Sequence, residues 1–198
     1  SAEILSVGTE LLLGSTANTD ARDISVYLSE LGINVFYHTV VGDNPERLTK
    51  AVEIARNRAD IIITTGGLGP TCDDLTKQVL AGAFGLEMEY HEELAQEMRR
   101  YFKEVIGVDN MTENNLPQAY LPAGCMVSHN EWGTAPGCAF EAMDTLVIML
   151  PGPPRECNAM FKACAMPYLR KLSEEVIFSH SLHIVGSGES TVEAKLVD

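Results

Sequence analysis

Residues Ile61 to Asp74 read IIITTGGLGPTCDD, and this stretch decides the fold. A β-branched apolar run predicts a buried strand, which stops at glycines, turns through Pro70 and ends in two adjacent carboxylates. Glycines let backbone N–H groups approach a ligand closely, and the helix expected from about Leu75 offers free donors at its start. Carboxylates there would repel a phosphate unless a cation lay between them. We therefore predict a phosphate-bearing ligand bridged by a divalent metal. The alternative is that Asp73 or Asp74 simply caps the helix.

The elements before this stretch indicate an α/β fold with a mostly parallel sheet. Strands are predicted at Ala2 to Val7, Ile33 to Val41 and Asp60 to Thr65, and helices lie between them. The first helix follows Asn18 and Thr19 and ends near Leu31, while the second begins at Asn44-Pro45 and ends near Arg58. This βαβαβ order favours parallel strands covered on both faces. Ligands of such sheets bind at the carboxyl ends of the strands, so we place the loops at Gly8 and Gly66 in one site.

The second half of the chain predicts further helices, a hairpin and another strand-to-helix junction. The predicted elements are a short helix to Phe84, a strand at Leu86 to Tyr90, a helix at Glu92 to Ile106, a polar loop at Asp109 to Gln118 with one helical turn from Thr112, a hairpin of Cys138 to Ala142 with Thr145 to Leu150, a helix after Pro151 to Glu156 that ends near Leu172, an extended segment at Val176 to Val185 and a helix capped at Ser190.

Composition narrows the possible partners. The chain has 198 residues with 14 Lys and Arg against 28 Asp and Glu, a net charge of -14. This excludes a general electrostatic attraction to nucleic acid or to an anionic membrane. No apolar run approaches the ~20 residues of a membrane span and no secretory leader is visible, so we expect a cytoplasmic protein.

Other phosphate loops fit less well. There is no G-x-x-x-x-G-K-[ST], and a G-x-G-x-x-G would need glycine where Cys72 stands. Glu87 or Glu89 keeps a weak dinucleotide-binding alternative open, since an acid ~20 residues on would bind the ribose. Glu10, in the loop after the first strand, is a candidate to join Asp73 and Asp74 around a hard cation.

Five motifs resemble the CinA branch of the molybdopterin-binding (MoaB/Mog-like) domain family. They are VGTELLLG at 7–14, VVGDN at 40–44, GGLGPTCDDLTK at 66–77, GTAPG at 133–137 and PGPPRE at 151–156. The resemblance implies a three-layer α/β/α domain over 1–172 that forms a homodimer, followed at 173–198 by the truncated start of a KH-like linker domain. It also implies hydrolysis of ADP-ribose to AMP and ribose 5-phosphate with a divalent metal (Co or Mg) and potassium.

The resemblance further implies a role for each matching residue. Metal binding and water activation fall to Glu10, Asp73 and Asp74. The phosphates and ribose fall to Gly8, Thr9, Gly66, Gly67, Gly69, Thr71, Thr134 and Gly152, with Asn18, Lys77 and Glu156 as secondary candidates. Two alternatives stay open: a molybdopterin-binding enzyme that adenylylates the pterin or inserts metal, and an interaction module without catalysis.

Overall fold

A computed structural model describes residues 1–172, 184–186 and 188–196 of the chain. Its eight strands are listed here in chain order: β1 (Ala2–Val7), β2 (Val35–Val41), β3 (Ile61–Thr65), β4 (Met88–Tyr90), β5 (Tyr120–Pro122), β6 (Met126–Ser128), β7 (Gly137–Ala142) and β8 (Thr145–Leu150). Its eight α-helices are α1 (Thr9–Leu12), α2 (Thr19–Glu30), α3 (Pro45–Arg56), α4 (Thr76–Ala83), α5 (Glu92–Tyr101), α6 (Pro154–Met160), α7 (Met166–Leu172) and α8 (Glu189–Leu196).

A six-stranded sheet in the order β2-β1-β3-β8-β7-β6 forms the middle of the molecule. The pairs β2/β1, β1/β3 and β3/β8 are parallel, whereas β8/β7 and β7/β6 are antiparallel. Strand β3 lies inside the sheet, with Ile63 paired to Ile4 on one side and to Ile148 on the other. Ile62 and Ile63, which point to opposite faces of β3, are both fully buried, as a strand covered on both faces requires. The predicted mostly parallel sheet is confirmed.

Two hydrophobic cores lie on opposite faces of this sheet. Residues of α3, α4 and α5 cover one face, and residues of α2, α6 and α7 cover the other. The predicted three-layer α/β/α arrangement is therefore present. Capping signals also form: Asn44 accepts a hydrogen bond from Arg47 N at 3.0 Å, and Pro45 is the first residue of α3. In the predicted hairpin, Met143 and Asp144 both have positive φ, as a tight turn between β7 and β8 demands.

Several predicted elements differ from the structure. The helix predicted over Glu92 to Ile106 changes at Tyr101 into a π-helix, Phe102–Ile106, and a second π-helix, Phe161–Ala165, joins α6 to α7. The single helical turn predicted from Thr112 is a longer 3-10 helix, Glu113–Ala119. The short strands β5 and β6 were not predicted. Helix α8 begins one residue before Ser190, which therefore lies in its first turn.

The C-terminal predictions are tested only in part. Most of the segment predicted as extended at Val176 to Val185 lies outside the described residues. The division at residue 172, with a KH-like domain after it, stays a prediction. Within the described ranges, no helix has the length and apolar character that crossing a membrane demands.

Candidate functional site

A cleft of about 650 Å³ opens where β1, β3 and β8 end, beside the loop that follows β2. This is the edge at which parallel sheets bind ligands. The cleft brings together most of the residues predicted from the sequence. Its predicted lining residues are Gly8, Glu10, Gly66, Gly67, Gly69, Thr71, Asp73, Asp74, Thr134, Gly152 and Glu156. Residues from loops that are far apart in the chain therefore meet around one cavity.

Three strand ends meet at Gly66 on the floor of the cleft. Gly66 has φ +94° and its N–H donates to Leu150 O at 3.0 Å. A Cβ at Gly66 would overlap the carbonyl oxygen of Val7, and a Cβ at Gly152 would lie 2.9 Å from Gly66 Cα. Only glycine fits this crossing of β1, β3 and β8, so the main chain itself forms the surface that a ligand meets.

The loop after Gly66 is closed by Asp74. Its Oδ2 accepts hydrogen bonds from Thr71 N at 2.9 Å and from Thr71 Oγ1 at 2.6 Å. Helix α4 begins at Thr76 with Leu75 as its N-cap and no side-chain cap. The alternative in which Asp73 or Asp74 caps the helix is therefore wrong. Asp74 instead shapes the turn that presents both carboxylates to the cleft.

The loop after β2 adds an acid that the sequence analysis did not select. Asp43 Oδ2 accepts hydrogen bonds from Thr9 N at 2.8 Å and Thr9 Oγ1 at 2.7 Å, and Asp43 lines the cleft. The hydroxyl of Thr9 is thus used by Asp43, and Thr9 is not among the lining residues. The signal was present in the sequence, since Asp43 follows a strand as Asp73 and Asp74 do.

The cleft is strongly acidic. Five carboxylates line it, from Glu10, Asp43, Asp73, Asp74 and Glu156, and the described lining contains no lysine or arginine. Carboxylate oxygens suit Mg²⁺ and other hard cations, so the donor set fits a divalent metal. Among the residues that the structure covers, however, no three His, Cys, Asp or Glu side chains are grouped closely enough to hold a metal ion. Any metal here would need oxygen atoms from the ligand or water as well.

Three predicted ligand-binding residues, Thr9, Lys77 and Asn18, lie outside the cleft lining, and we correct their assignment. Lys77 is buried, and its Nζ donates to Pro117 O at 3.1 Å and to Gln118 O at 2.9 Å. Its burial lowers its pKa from 10.5 to about 8. Lys77 therefore neither reaches a phosphate nor faces solvent; it fixes the 3-10 helix. Asn18 caps α2, accepting from Ala21 N at 3.3 Å and donating to Ser6 Oγ at 2.9 Å.

The far wall of the cleft depends on Asn130, another residue that the sequence analysis missed. Asn130 Nδ2 donates to Glu156 Oε2 at 2.7 Å and to Ala135 O at 2.9 Å. Gln118 lines the same wall and donates to Thr134 Oγ1 at 3.4 Å. Among the described residues, the buried Gln118 Oε1 has no hydrogen-bond partner, so it is free to accept from a ligand. No sequence pattern distinguishes these two amides from surface loop residues.

Comparison with known proteins shows the family to which the chain belongs. Residues 3–171 match the family described as "Probable molybdopterin binding domain". A solved structure of the protein CinA from Thermoplasma acidophilum is similar, with a TM-score of 0.76 and 32% identity over 84% of this chain and 96% of that one. This chain belongs to that family, in its CinA branch. In a CinA-like protein of Dictyoglomus turgidum, 196 residues are 50% identical, which is 99% of this chain and 47% of that protein.

The chain spans about half the length of the curated relatives it matches. One of them, described as a competence-damage inducible protein of Acetivibrio thermocellus, is 48% identical over 100% of this chain and 47% of that protein. The molybdopterin biosynthesis enzyme MoaB of Thermus thermophilus is similar at a TM-score of 0.53 and 21% identity, over 86% of this chain and 96% of that one. This second likeness shows the shared fold alone.

Proposed function

We propose that this domain hydrolyses the pyrophosphate bond of ADP-ribose, giving AMP and ribose 5-phosphate, with the help of a divalent cation. The supporting observation is the acidic cleft at the glycine junction, which offers close main-chain approach and five carboxylates but no basic side chain. A pyrophosphate would be repelled by such a lining at short range unless a cation screened it. A hydrolase of this kind needs that combination, because it must hold both a phosphate ligand and a metal.

Each part of the cleft has a role in this proposal. Main-chain groups at Gly66, Gly67 and Gly69 would contact phosphate oxygens, and Thr134 would hydrogen-bond the ribose or a phosphate. The Thr71 hydroxyl donates to Asp74, so it would only accept from the ribose. Glu10, Asp73 and Asp74 would contribute metal ligands and orient the attacking water. A Mg²⁺ or Co²⁺ ion held by these carboxylates would neutralise pyrophosphate charge and lower the pKa of a bound water. The proposed requirement for potassium rests on the family resemblance.

The direct test is release of AMP from ADP-ribose by the purified chain, with Mg²⁺ or Co²⁺ and with excess chelator. We expect activity with metal and its loss with chelator. Asp73→Asn should lower kcat by about 100-fold or more, because it removes a charge from the cleft. Asp109→Asn is the matched control, since Asp109 is an exposed loop acid outside the cleft. Equal activity of the two variants would contradict the proposal.

Molybdopterin binding is a second candidate, favoured by the match to the family over residues 3–171. A pterin carrying a phosphate would use the same glycine junction. This function predicts tight binding of molybdopterin and, in an adenylylating enzyme, transfer of AMP from ATP to the pterin. Binding of molybdopterin without cleavage of ADP-ribose under any metal condition would favour this candidate over the first.

Assembly and location are part of the same proposal. We infer a homodimer in the cytoplasm whose partner is a small nucleotide, with no nucleic acid or membrane involved. The net charge of -14 supports the exclusion of polyanionic partners. Light scattering coupled to size-exclusion chromatography tests the dimer; a monomeric mass across the concentration range of the activity assay would contradict it.

A further inference from the structure

A second cavity, of about 390 Å³, lies beside the acidic cleft. Helix α5 and the π-helix that follows form one wall, where Tyr101 and Val105 contribute apolar surface and the core residues Leu94 and Met98 lie behind it. The segment 129–136 forms the other wall. We call this cavity the α5 groove. Its volume lies within the range of small-molecule sites, and it combines apolar side chains with a few polar groups, as such sites do.

The α5 groove and the acidic cleft share a wall. Thr134 lines both cavities, and Asn130, which lines the groove, donates to Glu156, which lines the cleft. At Gly133, a Cβ would collide with the Glu156 carboxylate, so the main chain and this acid are in close contact there. The two cavities are therefore adjacent, with Gly133, Thr134 and the Glu156 carboxylate forming the wall between them.

The charges of the two cavities suggest different ligand parts. The acidic cleft needs a cation to accept a phosphate. The groove also carries more acid than base, with Glu97, Glu104 and Glu131 against Arg100 as the permanent cation. A second phosphate group would be disfavoured there. An uncharged group with hydrogen-bond donors and an apolar face fits better, because carboxylates accept from amino and hydroxyl groups while the more exposed Tyr101 and Val105 would contact a ring.

We propose that the α5 groove binds the nucleoside half of the nucleoside-diphosphate substrate, with its pyrophosphate in the acidic cleft and Thr134 at the junction. This inference rests on the proposed function and adds the orientation of the substrate to it. It assigns substrate selectivity to α5 and the π-helix, elements that contribute nothing to the acidic cleft. The ribose 5-phosphate half would then stay on the glycine side, away from α5.

The test blocks the groove without altering the cleft. Val105 lines the groove and is 65% exposed, whereas its neighbour Ile106 is 49% exposed and lies outside the lining. Val105→Trp and Ile106→Trp are therefore a matched pair on one π-helix. Calorimetric titration with AMP and with ribose 5-phosphate, in the presence of Mg²⁺, measures binding of each half separately. Steady-state kinetics with ADP-ribose measures the whole substrate.

We expect Val105→Trp to weaken AMP binding about tenfold and to raise KM for ADP-ribose about tenfold. The affinity for ribose 5-phosphate should change by less than about twofold. Ile106→Trp should change none of these. Trp132 gives a second readout in the wild-type protein, because it is the single tryptophan and accepts a hydrogen bond from Tyr101 through its carbonyl. AMP should change its fluorescence, and ribose 5-phosphate should leave it unchanged.

The outcomes separate the groove from the proposed function. Unchanged AMP affinity in Val105→Trp, or equal losses in both tryptophan variants, overturns the groove assignment even if ADP-ribose is hydrolysed. Loss of AMP affinity confined to Val105→Trp supports the groove as a nucleoside site even if no hydrolysis occurs. Absence of binding of AMP by the wild-type protein overturns the groove assignment as well.

Discussion

Single glycines determine whether the strand ends can meet. Gly66 and Gly85 both have positive φ, +94° and +69°, but a Cβ at Gly85 would meet nothing within 4 Å. We expect Gly85→Ala to cost about 1 kcal/mol of unfolding free energy from backbone strain. Gly66→Ala should cost at least about 2 kcal/mol more, because its Cβ would also collide with Val7 O. Urea denaturation of both variants measures the difference, and equal losses would contradict the close approach seen here.

The carboxyl group of Asp20 shows the cost of an unsatisfied acid. Asp20 is 6% exposed, and Oδ1 has no hydrogen-bond partner in the described part of the chain. Burial, with a smaller contribution from Asp23, raises its pKa from 3.8 to about 6. The folded state therefore binds the proton more tightly than the unfolded state. This contribution to stability is fully present below about pH 4 and is lost as the pH rises through about 6.

Asp20→Asn should accordingly stabilise the protein at neutral pH by on the order of 2 kcal/mol, because the side chain no longer carries a charge. The difference from the wild type should shrink as the pH falls towards about 4. Thermal or urea unfolding across this range measures it. Asp109→Asn, at an exposed position, controls for the change in net charge. Its difference in stability from the wild type should stay constant across this pH range. A gain that is the same at every pH would contradict the assignment.

The residues of the candidate site were only partly predictable from the sequence. Gly66, Asp73 and Asp74 stand directly after a strong strand signal, so local pattern placed them at the cleft. Lys77 is the second residue of α4, and no local sequence pattern indicates that its side chain is buried in the protein. Gln118, in the 3-10 helix, and Asn130 act on the cleft wall only through tertiary contacts with Thr134 and Glu156, which no local pattern shows.

At the scale of elements, Lys77 couples α4 to the 3-10 helix Glu113–Ala119. The folded state holds the proton of Lys77 less tightly than the unfolded chain, since its pKa falls from 10.5 to about 8. Stability from this group therefore rises as the pH increases from about 8 towards 10.5. In Lys77→Met this rise should disappear. Across that pH interval, the free energy of unfolding of the wild type should therefore increase by roughly 3 kcal/mol relative to that of the variant.

Urea unfolding of the wild type and Lys77→Met at about pH 7 and about pH 10, under reducing conditions, measures this gain. Lys103→Met provides the control, because Lys103 is exposed on a π-helix and should show no such change. A constant difference between wild type and Lys77→Met at both pH values would show that the buried ammonium is not the cause.

Elements were predictable where their pattern was long or had clear end signals. The strand at Ile61–Thr65 has a continuous β-branched run, and α3 has both an Asn cap and a first-position proline. The strands β5 and β6 have three residues each, too few for a period to be visible. The π-helices were missed because each has only five residues inside a longer helix, too few for the i→i+5 spacing to show in the sequence.

For the whole molecule, the excess of acid predicts that metal and substrate bind together. Five carboxylates line the cleft, yet no three of the described acidic, histidine or cysteine side chains form a ready metal site. Each ligand should therefore bind weakly alone and tightly with the other. Mg²⁺ and ADP-ribose together should raise Tm by several degrees more than the sum of the shifts that each gives alone. This estimate uses roughly 2–4 °C of Tm for each kcal/mol of binding energy.

Differential scanning fluorimetry with a fast temperature ramp, with each ligand alone and both together, measures this coupling. A repeat of the series with Co²⁺ in place of Mg²⁺ separates the coupling from substrate turnover by one metal. Asp73→Asn should lose the extra shift, and Asp109→Asn should keep it. Strictly additive shifts in the wild type would contradict a shared site. The overall α/β/α architecture followed from the sequence, whereas this dependence on two ligands follows only from how the loops converge.

The junction at Gly66 also constrains the order of folding. Its floor needs β8, which enters the sheet between β3 and β7 although it is made after both β3 and β7. A nascent chain emerging from the ribosome can pair β1, β2 and β3 while the binding surface is still lacking. Nucleotide therefore cannot act as a template for early collapse. In refolding experiments, recovery of ligand affinity should coincide with insertion of this last central strand.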